Sequence, residues 1–217
     1  MITKVVIIGG KGTAVNVAEN IYDAQLKGQK IEMLGFAFDD ESFGKEINGF
    51  PILCKTFNAY EKYKNFNDIK FIFQLYRADL MRERSKLLNS YGIPIDKYCS
   101  FVHPSSMVAK SVEVGAGCAV LANSVINSNA VIGNHCTILS NSTIGHDTKM
   151  GENNFIATNV GIGSSINIGC ANFFGINSAY RESITIGDHC VFGMGSVVVK
   201  SIPSGVKVVG NPAKIIN

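Results

Sequence analysis

From residue 108 to residue 198 a bulky apolar side chain returns at every sixth position without a skip, beginning Val108, Val114, Val120, Ile126 and ending Tyr180, Ile186, Phe192, Val198. Sixteen consecutive hexads of this kind fit neither the helical period of 3.6 nor the strand period of two. The next residue is Gly nine times (115, 133, 145, 151, 163, 169, 175, 187, 193), and the residue two before is usually small, as at Ser106, Cys118, Ser124, Ala130, Cys136 and Ser142. A coil of three short flat strands satisfies all of this. Each hexad makes one side of a triangular prism, one large residue plugs its interior, and small residues or Gly make the corners. Val114-Gly115, Ile132-Gly133, Met150-Gly151, Ile168-Gly169 and Ile186-Gly187 recur at every third hexad, which is one full coil. The hexads amount to about five coils, stacked at the roughly 4.8 Å spacing of paired strands. The period specifies the triangular coil and leaves its hand open.

The charges divide the chain of 217 residues. Residues 1–104 hold 26 of the 37 charged side chains and residues 105–198 only eight, which sets two domains, 1–104 and 105–217, meeting near Pro104. Although 46% of residues are hydrophobic, no apolar run approaches the roughly 20 residues of a membrane span, which argues against a transmembrane protein. Met1-Ile2-Thr3-Lys4 runs directly into Val5-Val6-Ile7-Ile8-Gly9 without the features of a signal peptide, so a cytoplasmic location is expected. Six cysteines (54, 99, 118, 136, 170, 190) never fall as CxxC, so neither a zinc cage nor a disulfide framework is indicated. Cys118, Cys136 and Cys190 share one column of the coil with Asn154 and Asn172 and are read as small interior fillers. The net charge of +3 comes without a dense Lys/Arg stripe, so no nucleic-acid partner is expected.

The first half reads as alternating strands and helices. Residues 4–8 make a buried strand, Gly9-Gly10-Lys11-Gly12 a turn, and residues 13–27 an amphipathic helix with Val15, Val17, Ala18, Ile21 and Leu26 on its apolar side. Residues 31–38 make a second strand ending in Asp39-Asp40-Glu41, and residues 56–63, 69–75, 79–91 and 98–102 continue as helix, strand, helix and strand. The economical reading is a small Rossmann-like parallel sheet with helices on its faces. Ligands of such sheets sit at the carboxyl ends of the strands, here residues 9–13 and Asp39-Asp40.

The glycine turn matches no full motif. A dinucleotide fingerprint requires Gly or Ala at 15, where Val15 stands, and a P-loop requires a second glycine followed by Lys and a hydroxyl. What remains is a turn with free backbone N–H groups at a helix N-terminus, plus Lys11 and Thr13, able either to hold a pyrophosphate or merely to close a turn. Asp39 and Asp40 can accept hydrogen bonds from a ribose or a uracil-type base; the plain alternative is a solvated acidic turn. Together Gly10, Lys11, Gly12, Thr13, Asp39 and Asp40 form the candidate nucleotide site.

The hexads resemble the left-handed parallel β-helix of the hexapeptide-repeat acyltransferases. The whole chain, a small α/β domain followed by such a prism, resembles the bacterial sugar acetyltransferases that include sialic acid O-acetyltransferases and the nucleotide-amino-sugar N-acetyltransferases of the bacillosamine and perosamine pathways. The stretches that carry the resemblance are Ile7-Ile8-Gly9-Gly10-Lys11-Gly12, Gly35-Phe36-Ala37-Phe38-Asp39-Asp40, Phe101-Val102-His103-Pro104, Ser142-Thr143-Ile144-Gly145-His146-Asp147, Phe174-Gly175-Ile176-Asn177-Ser178 and Gly210-Asn211-Pro212-Ala213-Lys214. The resemblance implies a homotrimer that binds acetyl-CoA between neighbouring prisms, a nucleotide-linked amino sugar on the small domain, and no metal. It maps the catalytic pair onto His146 and Asp147 and the CoA site onto Gly163, Ser164, Ile176 and Met194.

The expected chemistry is direct acyl transfer in a ternary complex, since no Cys or Ser beside a base suggests a covalent acyl-enzyme. A sugar amine must lose a proton as it attacks the thioester carbonyl, and a histidine suits that task at neutral pH. Asp147 would orient the imidazole, and backbone N–H groups of residues 161–164 would hold the oxyanion. O-acetylation of sialic acid or another sugar and transfer of a larger acyl group are the alternatives, with a nucleotide-binding solenoid module as the non-enzymatic one. A zinc hydratase on the same prism needs three convergent histidines, which the spacing of the four here does not supply. His135 and His189 lie three coils apart, about 14 Å, and are read as surface residues. His103 is read as structural or a minor contributor to the site. Phe155 stands where many relatives carry a second His and can shape an apolar acyl pocket. Val160-Gly161-Ile162-Gly163-Ser164 departs from the relatives' Ala-Gly ending, and Tyr76 replaces a Gly and is placed to stack on a base or to block it.

Overall fold

The computed structural model describes residues 2–216. The chain opens with β1 (Thr3–Ile8), α1 (Thr13–Leu26), β2 (Ile31–Ala37), β3 (Glu46–Ile47), β4 (Phe50–Cys54), α2 (Ala59–Tyr63), β5 (Ile69–Phe73) and α3 (Met81–Ser90). These strands form one sheet in the order β3-β4-β2-β1-β5, parallel except for the β3–β4 hairpin. Val5, Val6, Ile7 and Ile8 are all fully buried, as the unbroken apolar run requires of a central parallel strand covered on both faces.

Three details differ from the sequence reading. The buried side of α1 is Ala14, Val17, Ala18, Ile21 and Ala24, whereas Leu26 is 69% exposed at the end of the helix. The β3–β4 hairpin was unforeseen, although its two-residue turn is Asn48-Gly49, both at positive φ, a pair that favours tight hairpins. Residues 98–102 do not form a further strand of this sheet. Tyr98 makes a single parallel bridge to Phe71, and Phe101–Val102 then leaves to pair with Ala119–Val120 of the prism. Fully buried Phe101 packs with Ile72, Ala119 and Leu121, so it serves both halves of the molecule.

From there short strands recur at every hexad and pair in parallel with the strand one coil on, as Val125 with Thr143 and Thr143 with Gly161. They build three faces. The first contains Ala119–Val120, Thr137–Ile138, Phe155–Ile156, Phe173–Phe174 and Val191–Phe192; the second contains Val125–Ile126, Thr143–Ile144, Gly161–Ile162 and Ala179–Tyr180; the third contains Val131–Ile132, Lys149–Met150, Asn167–Ile168 and Thr185–Ile186. The hexad plugs fill the interior: from Val120 through Val198 each is no more than 5% exposed. Cys118, Cys136, Asn154, Asn172 and Cys190 are the buried small column foreseen. Asn154 satisfies itself there, donating to the carbonyls of Gly151 and Gly169 and accepting from the Asn172 amide.

The corners obey a rule that the apolar period hides. From Val120 to Ile186 the third residue after each plug adopts a left-handed backbone, with φ between 54° and 62° at Asn123, Asn129, His135, Asn141, Asp147, Asn153, Asn159, Ser165, Ala171, Asn177, Ser183 and His189. Asparagine is frequent because it tolerates this conformation better than other residues with a Cβ. Asn recurring at multiples of six was therefore a readable signal.

The small domain lies on the first face. Gln74 donates to Thr137 Oγ1 (2.9 Å), the Tyr76 phenol donates to the His135 carbonyl, and the Tyr76 ring packs on Phe155 at 5.9 Å. Asn20 of α1 accepts from the Ala122 amide. His103, 2% exposed, bridges the halves through Nε2 to Asp23 Oδ2 (2.7 Å). Its role is structural. Contrary to the surface reading, His135 is buried, its ring meeting Tyr98 at 4.5 Å, and burial pushes its imidazole down to about 4; His189 is half-buried.

Corners and seam can each be tested through stability. Asn141 is exposed at φ 62°, so Asn141→Val should cost about 1–2 kcal/mol while Asn141→Gly stays within a few tenths, read from urea unfolding midpoints. The unfolded chain protonates His135 near pH 6.5 and the folded chain only near pH 4. Stability should therefore fall as pH drops through that window. His135→Asn, which suits the corner, should flatten that slope.

Candidate active site

His146 and Asp147 occupy the corner between the second and third faces, in the turn between Thr143–Ile144 and Lys149–Met150. Gly145 lets this coil close on the next, since a Cβ there would clash with the Gly163 carbonyl and the Ser164 amide. Asp147 takes the left-handed corner conformation, and its Oδ2 lies 2.6 Å from His146 Nδ1. Its Oδ1 accepts from the Asn129 amide at 3.0 Å, one coil below. The imidazole and then the Asn129 amide hold the Asp147 carboxyl below the usual carboxylate range. An ionised carboxylate only accepts, so His146 Nδ1 must carry the proton. Neutral His146 therefore keeps its Nε2 lone pair free, on a side chain that is 57% exposed. The pair can take a proton from a group brought to that corner.

Ser164 lies in the same column as His146, one coil on, and the Ser165 amide donates to the His146 carbonyl. In the turn expected to hold an oxyanion, the amides of Gly161 and Gly163 donate to Ser178 and Tyr180 on the next coil. Among the glycine and serine amides of that turn, only that of Ser164 has no carbonyl acceptor among the described residues. Gly163 is packed against Tyr180 and Glu182, so its place is fixed by coil stacking. Ile176 (49% exposed) and Met194 (81%) stack in a different column, at the corner between the first and second faces. Within one chain they do not meet His146.

At the strand ends of the small domain, Lys11 and Asp40 pair with each other at 2.6 Å, and Lys11 lies 5.0 Å from the Phe43 ring centroid. Gly10 is required by Phe38, whose ring a Cβ would meet at 2.5 Å. Gly12 (φ 53°) and Thr13 open α1 with no side-chain cap. Asp39, itself exposed, accepts from the Thr56 amide (2.9 Å) and hydroxyl (2.6 Å) at the start of the segment leading into α2. Phe38, Asp40, Glu41 and Lys55 line a cavity of about 230 Å³ beside Lys11. The pair Lys11–Asp40, this cavity and the exposed Asp39 stand together at the strand ends of the small domain.

Two expectations about aromatic residues change. Phe155, 6% exposed, is stacked on Phe173 at 5.1 Å and roofed by Tyr76, so it presents almost no surface for an acyl chain. Tyr76 is turned inward to the prism and neither stacks on nor blocks a base at the strand ends. No group of three or more His, Cys, Asp or Glu side chains among the described residues is placed to hold a metal ion.

Residues 129–164 match the family described as bacterial transferase hexapeptide (six repeats). No curated protein sequence matches the chain. Among solved structures, PerB from Caulobacter crescentus in complex with CoA and GDP-perosamine is 26% identical, with a TM-score of 0.81 over 100% of this chain and 99% of that one. A histidine-to-asparagine mutant of perosamine N-acetyltransferase from the same organism, bound to the same two ligands, is 25% identical, with a TM-score of 0.83 over 100% and 98%. The acetyltransferase domain of PglB from Neisseria gonorrhoeae, in complex with acetyl coenzyme A, shares the fold at 22% identity, with a TM-score of 0.82 over 100% of both chains. The repeat, the prism and these matches thus show the fold of the hexapeptide-repeat acyltransferases, with its left-handed parallel β-helix. Along its whole length the chain is related to the perosamine N-acetyltransferase group.

The strand-end pair gives a titration test. Lys11 first, then Ser42, holds the Asp40 carboxyl at about 2, so the ion pair should persist through the ordinary carboxylate range and be lost only as pH falls through about 2. In Lys11→Met, a carboxylate titration followed by NMR should show Asp40 moving up toward the ordinary value of about 3.9.

Proposed function

We propose that this protein is an acyl-CoA-dependent N-acetyltransferase that acylates the amino group of a nucleotide-linked amino deoxysugar. The observation that carries the proposal is the His146–Asp147 corner, a histidine with its Nδ1 proton held and its Nε2 free, in a chain related from end to end to an enzyme solved with CoA and GDP-perosamine. In this reading residues 1–104 hold the nucleotide at Lys11, Asp39, Asp40 and the turn of Gly10, Gly12 and Thr13, and residues 105–217 carry the transfer.

The sugar amine attacks the thioester carbonyl of acetyl-CoA as His146 Nε2 takes its proton. A C–N bond forms and the carbonyl oxygen becomes an oxyanion, facing the Ser164 amide. Collapse of that intermediate breaks the C–S bond, and the imidazolium returns its proton to the departing CoA thiolate. Asp147 holds the ring in the required tautomer and stabilises the imidazolium while it lasts. The chain's own groups are sufficient for each proton movement. A histidine mutant of the Caulobacter crescentus enzyme still held both CoA and GDP-perosamine, which is in keeping with a histidine used for chemistry rather than for binding.

The same reading makes the enzyme a homotrimer. Gly163 and Ser164 share the corner of His146, whereas Ile176 and Met194 are exposed at another, so a CoA touching all four must lie between copies. The second face supports this: its outward residues Thr143, Gly161 and Ala179 are small, uncharged and exposed. Among the described residues no helix is long and apolar enough to cross a membrane. Acetyl-CoA and a nucleotide sugar as substrates favour the cytoplasm as the working compartment.

The test is release of free thiol from acetyl-CoA with UDP-, dTDP- and GDP-linked 3-amino and 4-amino sugars, with non-amino sugars as controls. One amino sugar should support release, and His146→Ala should lower turnover by about 10² or more with the oligomer intact. Release with hydroxyl acceptors alone would replace the N-transfer by O-transfer; silence with every acceptor would leave a binding module.

A further inference from the structure

Asn129 is the one corner asparagine whose side chain is bonded to the reactive pair. It sits one coil before Asp147, at φ 61° against 58°, so the two corners stack with their side chains in register. Its backbone N–H donates to Ser111 Oγ (2.9 Å), which ties it to the coil below, and its Nδ2 donates to Asp147 Oδ1 (3.0 Å). The opposite carboxylate oxygen, Oδ2, faces His146 Nδ1 at 2.6 Å. A carboxylate held at one oxygen only can rotate about its own bond; held at both, it has one plane left.

We infer that Asn129 is a positioning residue for the reaction, acting on His146 through Asp147. The inference rests on His146 being the general base. With Asp147 Oδ1 pinned, Oδ2 stays in the plane of the imidazole and the ring keeps its proton on Nδ1, so Nε2 presents its lone pair outward. Without Asn129 water takes its place on Oδ1, the carboxylate turns, and the imidazole samples the tautomer with its proton on Nε2, which cannot act as a base. The bond is made by side chains on two successive coils, so no residue adjacent to the pair in sequence can replace it.

Asn129→Gly removes the amide and accepts the left-handed corner at no steric cost. It should lower kcat about three- to ten-fold, the worth of one net hydrogen bond, with KM for acetyl-CoA and for the sugar nucleotide unchanged. In ¹⁵N-histidine NMR spectra the neutral His146 signal, assigned by its absence from His146→Gln, should move from the Nδ1–H toward the Nε2–H tautomer. Asn129→Asp keeps shape and corner but sets two carboxylates against each other, and should lower kcat further. Asn123→Gly, a corner substitution at another edge, should change neither kcat nor the tautomer. Wild-type kcat and tautomer in Asn129→Gly would overturn the inference, as would an equal loss in Asn123→Gly. If His146→Ala kept its turnover, the general-base reading would fall and the catalytic role of Asn129 with it; a tautomer shift in Asn129→Gly would then place the fault in the base and not in the ladder.

Discussion

The stacking of one coil on the next at a constant register is the constraint on which everything else depends. Each inward-pointing plug, each corner and each outward residue has its counterpart directly above and below, because backbone amides such as those of Val125, Thr143 and Gly161 donate to carbonyls of the following coil. Such short parallel strands have little stability singly, so the ladder holds only if no coil slips. A slip is costly here, since it would turn the apolar plugs out and the polar corners in. The result is a rigid lattice in which sequence position fixes spatial address. His146 meets Ser164 and Asp147 meets Asn129 at one edge because each pair is one coil apart in sequence, not because a loop brings them together.

The corner conformation adds a second constraint that bears on the chemistry. Most corners need nothing more than a residue that tolerates a left-handed backbone, and asparagine fills that need. Asp147 meets the same steric demand while supplying a carboxylate that reaches the side chain before it. A backbone rule of the scaffold therefore places the partner of the proposed base. The cost of ordering the pair is met by the scaffold during folding rather than at the moment of reaction, as preorganised sites require.

The repeat was legible because its signal is local: a plug every six residues and a glycine behind many of them say where each strand lies. The candidate corner was legible for the same reason, as the one histidine followed directly by a carboxylate in a stretch poor in charge. The seam was not. Gln74 meets Thr137, Tyr76 meets Phe155 and His103 meets Asp23 across long separations in sequence, and no local period announces such pairs. That is why His135 looked like a surface residue, Phe155 like an acyl pocket and Tyr76 like a base stack: each reading assumed solvent where the small domain sits. Asp39 differs from Asp40 for another reason. The two are equivalent as a sequence pair, and only the fold shows that one accepts from Thr56 while the other is paired with Lys11.

The seam also bears on how the two proposed binding sites would act on one reaction. The small domain is fixed to the first face by a buried histidine, a phenol bonded to a corner carbonyl, an amide bonded to a threonine and packed aromatic rings, contacts spread from the first coils to Phe155. Such a join leaves little freedom for the mouth at Lys11 and Asp40 to move relative to the prism. A nucleotide held there would thus project its sugar along a fixed line. The corners that carry His146 and those that carry Ile176 and Met194 lie at different edges of that same rigid body. Rigidity makes this separation informative: in a flexible chain the two sets of residues could close on one another, whereas in a stacked solenoid they stay apart, and a ligand touching both would have to be shared with a second copy, as in the proposed trimer. The lattice that makes the corner easy to read in one chain is the same feature that, in the proposed trimer, would leave the acyl-donor site to be completed by a neighbour.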